Sequence, residues 1–140
     1  MGTTNYRETF IAVAEDCPAA AGTVPTAPGS VAALTYELIS AAPYTLTSDD
    51  VLFTVHAVRK GIAEDDRAQA REEFFAKPQA CLRASPLGKT YGWGVHHDAE
   101  GRVALYGVET ERYAELAAPG ATGSDGAPLT LKRAMRRSRA

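Results

Sequence analysis

Residues 90–109 read TYGWGVHHDAEGRVALYGVE, and this stretch decides the fold class. In residues 90–97 large side chains alternate with glycine, and residues 102–109 are rich in branched and aromatic side chains. The loop between them, 98–101, is polar and ends in glycine, which is typical of a hairpin. We therefore predict two antiparallel strands, over 90–97 and 102–109.

The alternation also assigns the two faces of the first strand. One face carries large side chains, namely Tyr91, Trp93, Val95 and His97. The other face is nearly bare, because it holds Gly92, Gly94 and His96. Glycine in a strand marks a place where another group approaches closely, so we expect a group to lie against the backbone there.

Outward from the hairpin, the chain predicts one more strand and several helices. Residues 9–14 are apolar and partly β-branched, and the strand they predict ends before Pro18. Capping residues and apolar spacing predict helices over 30–40, 47–61, 64–77 and 111–118, with a strand as the alternative for 51–58. This order indicates an α+β fold: a small antiparallel sheet, made of the N-terminal strand and the C-terminal hairpin, with helices packed on one face.

The chain of 140 residues fits one domain, and its charge is unevenly distributed. The net charge is −2, yet residues 132–139 hold five cations and no acid, which leaves ten cations and 17 acids, or −7, for residues 1–131. An acidic body repels phosphate backbones, so we expect no nucleic-acid binding by the domain itself. We predict a single domain over 5–118 and, over 119–140, a Gly/Ala-rich linker and a solubilising basic C-terminal tail.

No apolar run reaches the roughly 18 residues that a membrane helix needs, and the N-terminus lacks a signal-peptide pattern. We therefore expect a cytoplasmic protein without a membrane segment. In the cytoplasm, Cys17 and Cys81, which are 64 positions apart, are expected to be free thiols. Because the two cysteines lack CxxC spacing, they predict no metal site. No motif indicates a cofactor, and the oligomeric state is left open.

Residues 81–97, CLRASPLGKTYGWGVHH, concentrate the side chains suited to binding or chemistry. Arginine offers planar donors to a carboxylate or phosphate, lysine offers a point charge, and aromatic rings offer an apolar wall. We predict a site for a small anionic ligand, with five ligand-binding residues: Arg83, Ser85, Lys89, Tyr91 and Trp93. The alternative is structural, with Arg83 and Lys89 in ion pairs with Asp49, Asp50 or Asp16.

The same segment supports a catalytic hypothesis. Cations near Cys81 favour a reactive thiolate, so Cys81 and His96 are the candidate catalytic residues of a thiol-dependent enzyme. A buried, inert Cys81 is the alternative. His96 and His97 point to opposite faces of a regular strand, so we do not expect them to share a metal. The acids that begin the second helix, Asp49 and Asp50, are interpreted as capping residues.

Four motifs give the chain a family resemblance: AEDCP at 14–18, TSDDV at 47–51, LRASPLGKTYGWG at 82–94 and GRVALYGVET at 101–110. With them the chain resembles a family of small bacterial proteins of unknown function that share a Ser-Pro-Leu-x-Lys-x-Tyr-Gly-Trp-Gly block. The match spans residues 5–116; the loop 19–29 and the basic C-terminal extension look particular to this chain. The resemblance implies a single-domain soluble protein and points to nine residues: Cys17, Asp49, Asp50, Arg83, Ser85, Lys89, Tyr91, Trp93 and Gly94.

These observations together favour a binding module for a small anionic metabolite. A thiol-dependent enzyme and a protein-interaction domain without a catalytic site are the two alternatives.

Overall fold

The structure is a computed structural model, and it describes residues 3–123 and 126–136, so Arg137 and Arg139 of the predicted basic tail lie outside it. Its strands are β1 (Thr9–Ala12), β2 (Trp93–His97), β3 (Val103–Gly107) and β4 (Thr130–Arg133). Its helices are α1 (Val31–Ala41), α2 (Ser48–Lys60), α3 (Arg67–Ala76), α4 (Pro86–Lys89) and α5 (Glu111–Ala117). Two 3₁₀ turns, Glu64–Asp66 and Leu82–Ala84, precede α3 and α4. Across the described ranges, no helix combines the length and apolar character needed to span a membrane.

In the described residues the strands form one sheet in the order β3–β2–β1–β4. β2 pairs antiparallel with both β3 and β1, so the predicted hairpin and N-terminal strand are confirmed. Val95 lies opposite Leu105 on one side and Ile11 on the other. Gly101 ends the hairpin turn with a φ of 81°, a conformation that favours glycine. The α+β class is therefore confirmed.

The sheet differs from the prediction at β4, which pairs with β1 in parallel. The amide of Thr130 donates to the carbonyl of Glu8 at 2.8 Å and begins this pairing. The sequence predicts no element in residues 119–140, because β4 is an edge strand of four residues whose side chains are mostly exposed. The sheet is consequently mixed, and residues 130–133 belong to it rather than to a free tail.

Helices cover both faces of the sheet, whereas the sequence predicts helices on one face. α1, α2 and α4 pack on the face that carries Ile11 and Val95. α5 packs on the opposite face, where the ring centroids of Phe10 and Tyr113 are 5.1 Å apart. The physical reason lies in β1, whose residues are all buried, because a strand that is apolar on both sides needs a cover on both sides.

The bare side of β2 faces the α5 layer. A Cβ atom at Gly94 would collide with the ring of Phe10 and would lie 2.8 Å from Tyr113. A Cβ atom at Gly92 would lie 2.6 Å from the carbonyl oxygen of Ala21. The groups that approach these glycines are therefore the protein's own core and its 19–24 loop.

The start of α2 confirms the capping prediction for Asp50. The amide of Asp50 donates to the Thr47 hydroxyl at 3.2 Å, and the amide of Thr47 donates to the Asp50 carboxylate at 3.0 Å. Residues 51–58 are accordingly helical, and the strand alternative is wrong. Asp49 has a different role, since it accepts from the amide of Thr4 at 2.7 Å and ties the N-terminal segment to α2.

Candidate functional site

The structure divides the five predicted ligand-binding residues, and two of them lie beneath the 19–24 loop. The Nε1 of Trp93 donates to the carbonyl of Thr23 at 2.7 Å, and the amide of Thr23 donates to the carbonyl of Tyr91 at 2.9 Å. The Trp93 ring also packs against Tyr36, with centroids 5.3 Å apart. The polar atom of Trp93 is thus engaged by the protein's own loop.

Arg83 holds the C-terminal end of β4. Its Nε donates to the carbonyl of Arg133 at 2.7 Å, and its own carbonyl accepts from the amide of Met135 at 2.8 Å. Both bonds lie on the edge of β4 that faces away from β1. Arg83 therefore fastens a strand that is distant in sequence, and its orientation is fixed.

Ser85 and Lys89 stand at the two ends of α4. Ser85 is buried, and its hydroxyl accepts from the amide of Leu87 at 3.2 Å, which caps the helix. Lys89 is half-buried in the last turn. The N-terminal cap of α4 positions Ser85, and the last turn of α4 positions Lys89.

The predicted ion pairs with Asp49 or Asp50 are not formed. Within the described part of the chain, neither Arg83 nor Lys89 pairs with a carboxylate. Asp50 pairs with Arg71 at 2.9 Å. Burial opposes the ionisation of Asp50, but hydrogen bonds from Thr47 and Arg71 outweigh it and hold the pKa of Asp50 below its usual value.

Arg83 contributes to a cluster of four side chains, here called the Tyr6 cluster: Tyr6, Cys81, Arg83 and Lys132. The Tyr6 hydroxyl lies 3.1 Å from the Sγ of Cys81, and the guanidinium of Arg83 lies beside the same hydroxyl. The Nζ of Lys132 lies 5.4 Å from the centre of the Tyr6 ring, a cation–π distance. A thiol, a phenol and two cations thus meet where the N-terminal segment, the Leu82–Ala84 turn and β4 come together.

Burial raises the pKa of Tyr6, and the hydrogen bond with Cys81 adds to this effect. The charge of Arg83 acts in the opposite direction and is the weaker influence. The phenol therefore keeps its proton at neutral pH and is able to donate a hydrogen bond. Together with the guanidinium and the ammonium, the cluster presents donors rather than acceptors.

A small cavity of about 140 Å³ adjoins Cys81. Its lining is mostly apolar and also includes the predicted residue Ser85; the wall is formed by Val31, Thr35, Leu52, Ala80, Cys81, Leu82, Ala84, Ser85 and Pro86. Cys81 belongs both to this lining and to the Tyr6 cluster, whereas Arg83 belongs only to the cluster.

The two candidate catalytic residues, Cys81 and His96, are not brought together. His96 faces the α5 layer, and its Nδ1 lies 2.8 Å from the hydroxyl of Tyr44, which in turn lies 2.7 Å from that of Tyr106. Burial lowers the pKa of His96. His97 is the histidine on the Tyr6 side, with its ring edge-on to Tyr6 at 5.5 Å.

Both cysteines are free thiols, as predicted. Among the residues that the structure describes, no three metal-ligating side chains come together.

Tyr6 and Lys132 are the members of the cluster that the sequence does not predict. Tyr6 is 75 positions from Cys81, and Lys132 lies in the segment interpreted as a tail. No local spacing links them, because the parallel pairing of β1 and β4 is what brings them together. The basic run at the C-terminus was the one available signal.

The structure is that of a small α+β protein in which a thiol, a phenol and two cations lie together at the edge of a mixed sheet. The chain belongs to the Family of unknown function (DUF6157), whose model matches residues 1–140. The resemblance to a family of unknown function is thereby confirmed, and the matched range extends beyond 5–116 to include the C-terminal segment that looked particular to this chain. Searches of curated proteins and of solved structures find no match.

Proposed function

We propose that the protein binds a small organic anion and that the Tyr6 cluster receives its carboxylate or phosphate group. The observation that carries this proposal is that the guanidinium of Arg83 has no carboxylate partner in the described part of the chain. Arginine is the residue best suited to such groups, because its planar donors match two anionic oxygens.

The fixed position of Arg83 supports the proposal. Its Nε is engaged by the carbonyl of Arg133, so the Nη donors are left for the Tyr6 hydroxyl and a ligand. A side chain that is already held in place loses less conformational freedom when a ligand binds. Lys132 adds a second positive charge, and the protonated Tyr6 adds a neutral donor.

The remaining predicted residues take supporting parts in this proposal. Ser85 orders the turn that carries Arg83 by capping α4. Trp93 and Tyr91 hold the 19–24 loop over β2 instead of forming the wall of the ligand site. Lys89 stays a candidate for long-range attraction of an anion, because it has no ion pair in the residues described.

The test is a set of thermal melts in inorganic phosphate at constant ionic strength. A ligand that binds only the folded state raises the melting temperature, so we expect phosphate to raise it for the wild type relative to chloride. Arg83→Gln should remove the phosphate-dependent rise. Arg112→Gln is the matched control, because Arg112 is exposed, pairs with Glu115 at 3.1 Å and lies on α5, on the opposite face of the sheet from the cluster; it should retain the rise. Equal phosphate-dependent rises in both variants would refute the proposed site.

A further inference from the structure

The cavity beside Cys81 shares lining residues with a second cavity on α2, and the second shares one with a third. The second, of about 210 Å³, shares Val31, Thr35 and Leu52 with the first and extends to His56. The third, of about 590 Å³, shares His56 with the second and extends to Phe74. We call these three cavities together the α2 groove.

Most of the surface that lines the α2 groove is apolar, and its polar groups belong to a few side chains. Leu52 and Val55 line the second cavity, where the Thr35 hydroxyl is already used, since it donates to the carbonyl of Val31 at 2.7 Å. In the third cavity the rings of His56 and Phe74 pack together with centroids 4.6 Å apart. A peptide backbone lying here would leave amides and carbonyls without partners, whereas a hydrocarbon chain needs none.

Cations without acidic partners line the same groove. Arg59 and Lys60 belong to the second cavity and Lys77 belongs to the third. None of the three forms an ion pair in the described ranges. Glu73, the acid in the third cavity, accepts a hydrogen bond from Gln69 at 3.2 Å. Apolar lining and a cationic border together complement a molecule that has an apolar chain and one anionic end.

We infer that the α2 groove binds an amphipathic carboxylate, with its unbranched hydrocarbon chain along α2 and its carboxylate at Arg59 and Lys60. The nine residues from Leu52 to Lys60 are separated by eight helical rises, about 12 Å of helix, which gives the groove the length for such a chain. This site shares Cys81 with the Tyr6 cluster but does not include Arg83, and it does not depend on the proposed function.

The inference is tested by titrating butyrate, hexanoate and octanoate, below their micelle concentrations, into the full chain and measuring the heat of binding. We expect affinity to rise roughly fourfold for each added methylene group that is buried. Val31→Trp should weaken octanoate binding at least tenfold, because Val31 is exposed at the groove and lines two of its cavities. Val58→Trp is the matched control: Val58 is also an exposed helical valine, but it lines none of the three cavities of the groove; it lines a cavity beside Leu34 and Leu38 that shares only Val55 with the groove.

A second pair of variants tests the charges independently. Replacing Arg59 and Lys60 by glutamine should weaken octanoate binding, whereas Arg83→Gln should not change it. Affinity that does not depend on chain length, or equal loss in Val31→Trp and Val58→Trp, would overturn the inference. Loss of octanoate binding in Arg83→Gln would overturn it as well, because the carboxylate would then lie at the Tyr6 cluster. The phosphate-dependent rise in the melting temperature of Arg83→Gln tests the proposed function and not this inference. Failure of the proposed function and failure of this inference are therefore distinguishable.

Discussion

At the residue scale, His97 shows how burial sets a protonation state. Its side chain is 0 % exposed, and no described group makes a well-formed hydrogen bond with either ring nitrogen. Burial lowers the pKa of His97 to about 4, from an ordinary value of 6.5. The folded state therefore requires the neutral ring, while the unfolded chain takes up a proton as the pH falls below 6.5.

This difference predicts a loss of stability in acid to which His97 contributes a separable part. The contribution of His97 is fully present above pH 6.5 and is lost as the pH falls toward 4, with a total of about 3 kcal/mol. Urea denaturation at pH 7 and at pH 4.5 measures it. His97→Gln should lose less stability than the wild type over that interval by about 2–3 kcal/mol, and an identical loss in both proteins would contradict the prediction.

Two strand glycines give a second prediction at this scale. Gly94→Ala should lower the free energy of unfolding by about 1–3 kcal/mol, because the added methyl group meets the rings of Phe10 and Tyr113 in a packed layer. Gly107→Ala is the control, since the methyl group there meets the carboxylate end of the exposed Glu109, and moving that group disturbs only an exposed hydrogen bond from the amide of Gly22. Chemical denaturation of the two variants compares them, and an equal loss would mean that the α5 layer is loosely packed.

At the element scale, local signals predicted some elements well and others not at all. The capping residues at Thr47 and Asp50 and the loop 98–101 fixed α2 and the hairpin, because the interactions involved lie within a few residues of one another. β4 left no such signal, since its partner β1 lies more than a hundred residues away and its own side chains are mostly exposed. The position of α5 opposite the other helices also depends on packing, which spacing alone does not encode.

The register of β4 against β1 predicts which proline substitutions break a hydrogen bond between the two strands. The amides of Thr130 and Ala134 donate to the carbonyls of Glu8 and Ala12. Because successive amides of a strand point to opposite sides, the amide of Lys132 also points toward β1, and the amide of Leu131 points away from it. Lys132→Pro should therefore cost about 1–3 kcal/mol more than Leu131→Pro. Thermal or urea unfolding of the two proline variants checks it, and equal stabilities would show that β4 is not docked in solution.

At the scale of the whole molecule, the uneven charge of the chain acquires a structural meaning. The acidic body and the basic C-terminal segment are not separate parts, because β4 brings Lys132 and Arg133 onto the sheet edge. There Lys132 meets Tyr6, and the Nη1 of Arg133 donates to the carbonyl of Val13 at 3.0 Å. Part of the predicted tail is thus a component of the candidate site.

The sequence predicted two of the four residues of the Tyr6 cluster, because only those two lie close together in the chain. Arg83 and Cys81 were identified from a dense run of reactive side chains, which is a local pattern. Tyr6 and Lys132 come from opposite ends of the chain, and only the completed sheet places them beside Cys81. Trp93, the most conspicuous residue of the run, serves the 19–24 loop, an assignment that depends on contacts with residues some 70 positions away.

The most direct test of the proposed anion site is an amide ¹H–¹⁵N NMR titration of the wild-type protein with inorganic phosphate at constant ionic strength. We expect saturable shifts concentrated at Tyr6, at residues 81–83 and at Lys132. When the titration is repeated at higher ionic strength, the affinity for phosphate should fall. Shifts that spread without saturation over the exposed lysines and arginines, or that centre on another part of the fold, would contradict the assignment of the Tyr6 cluster as the anion-binding site.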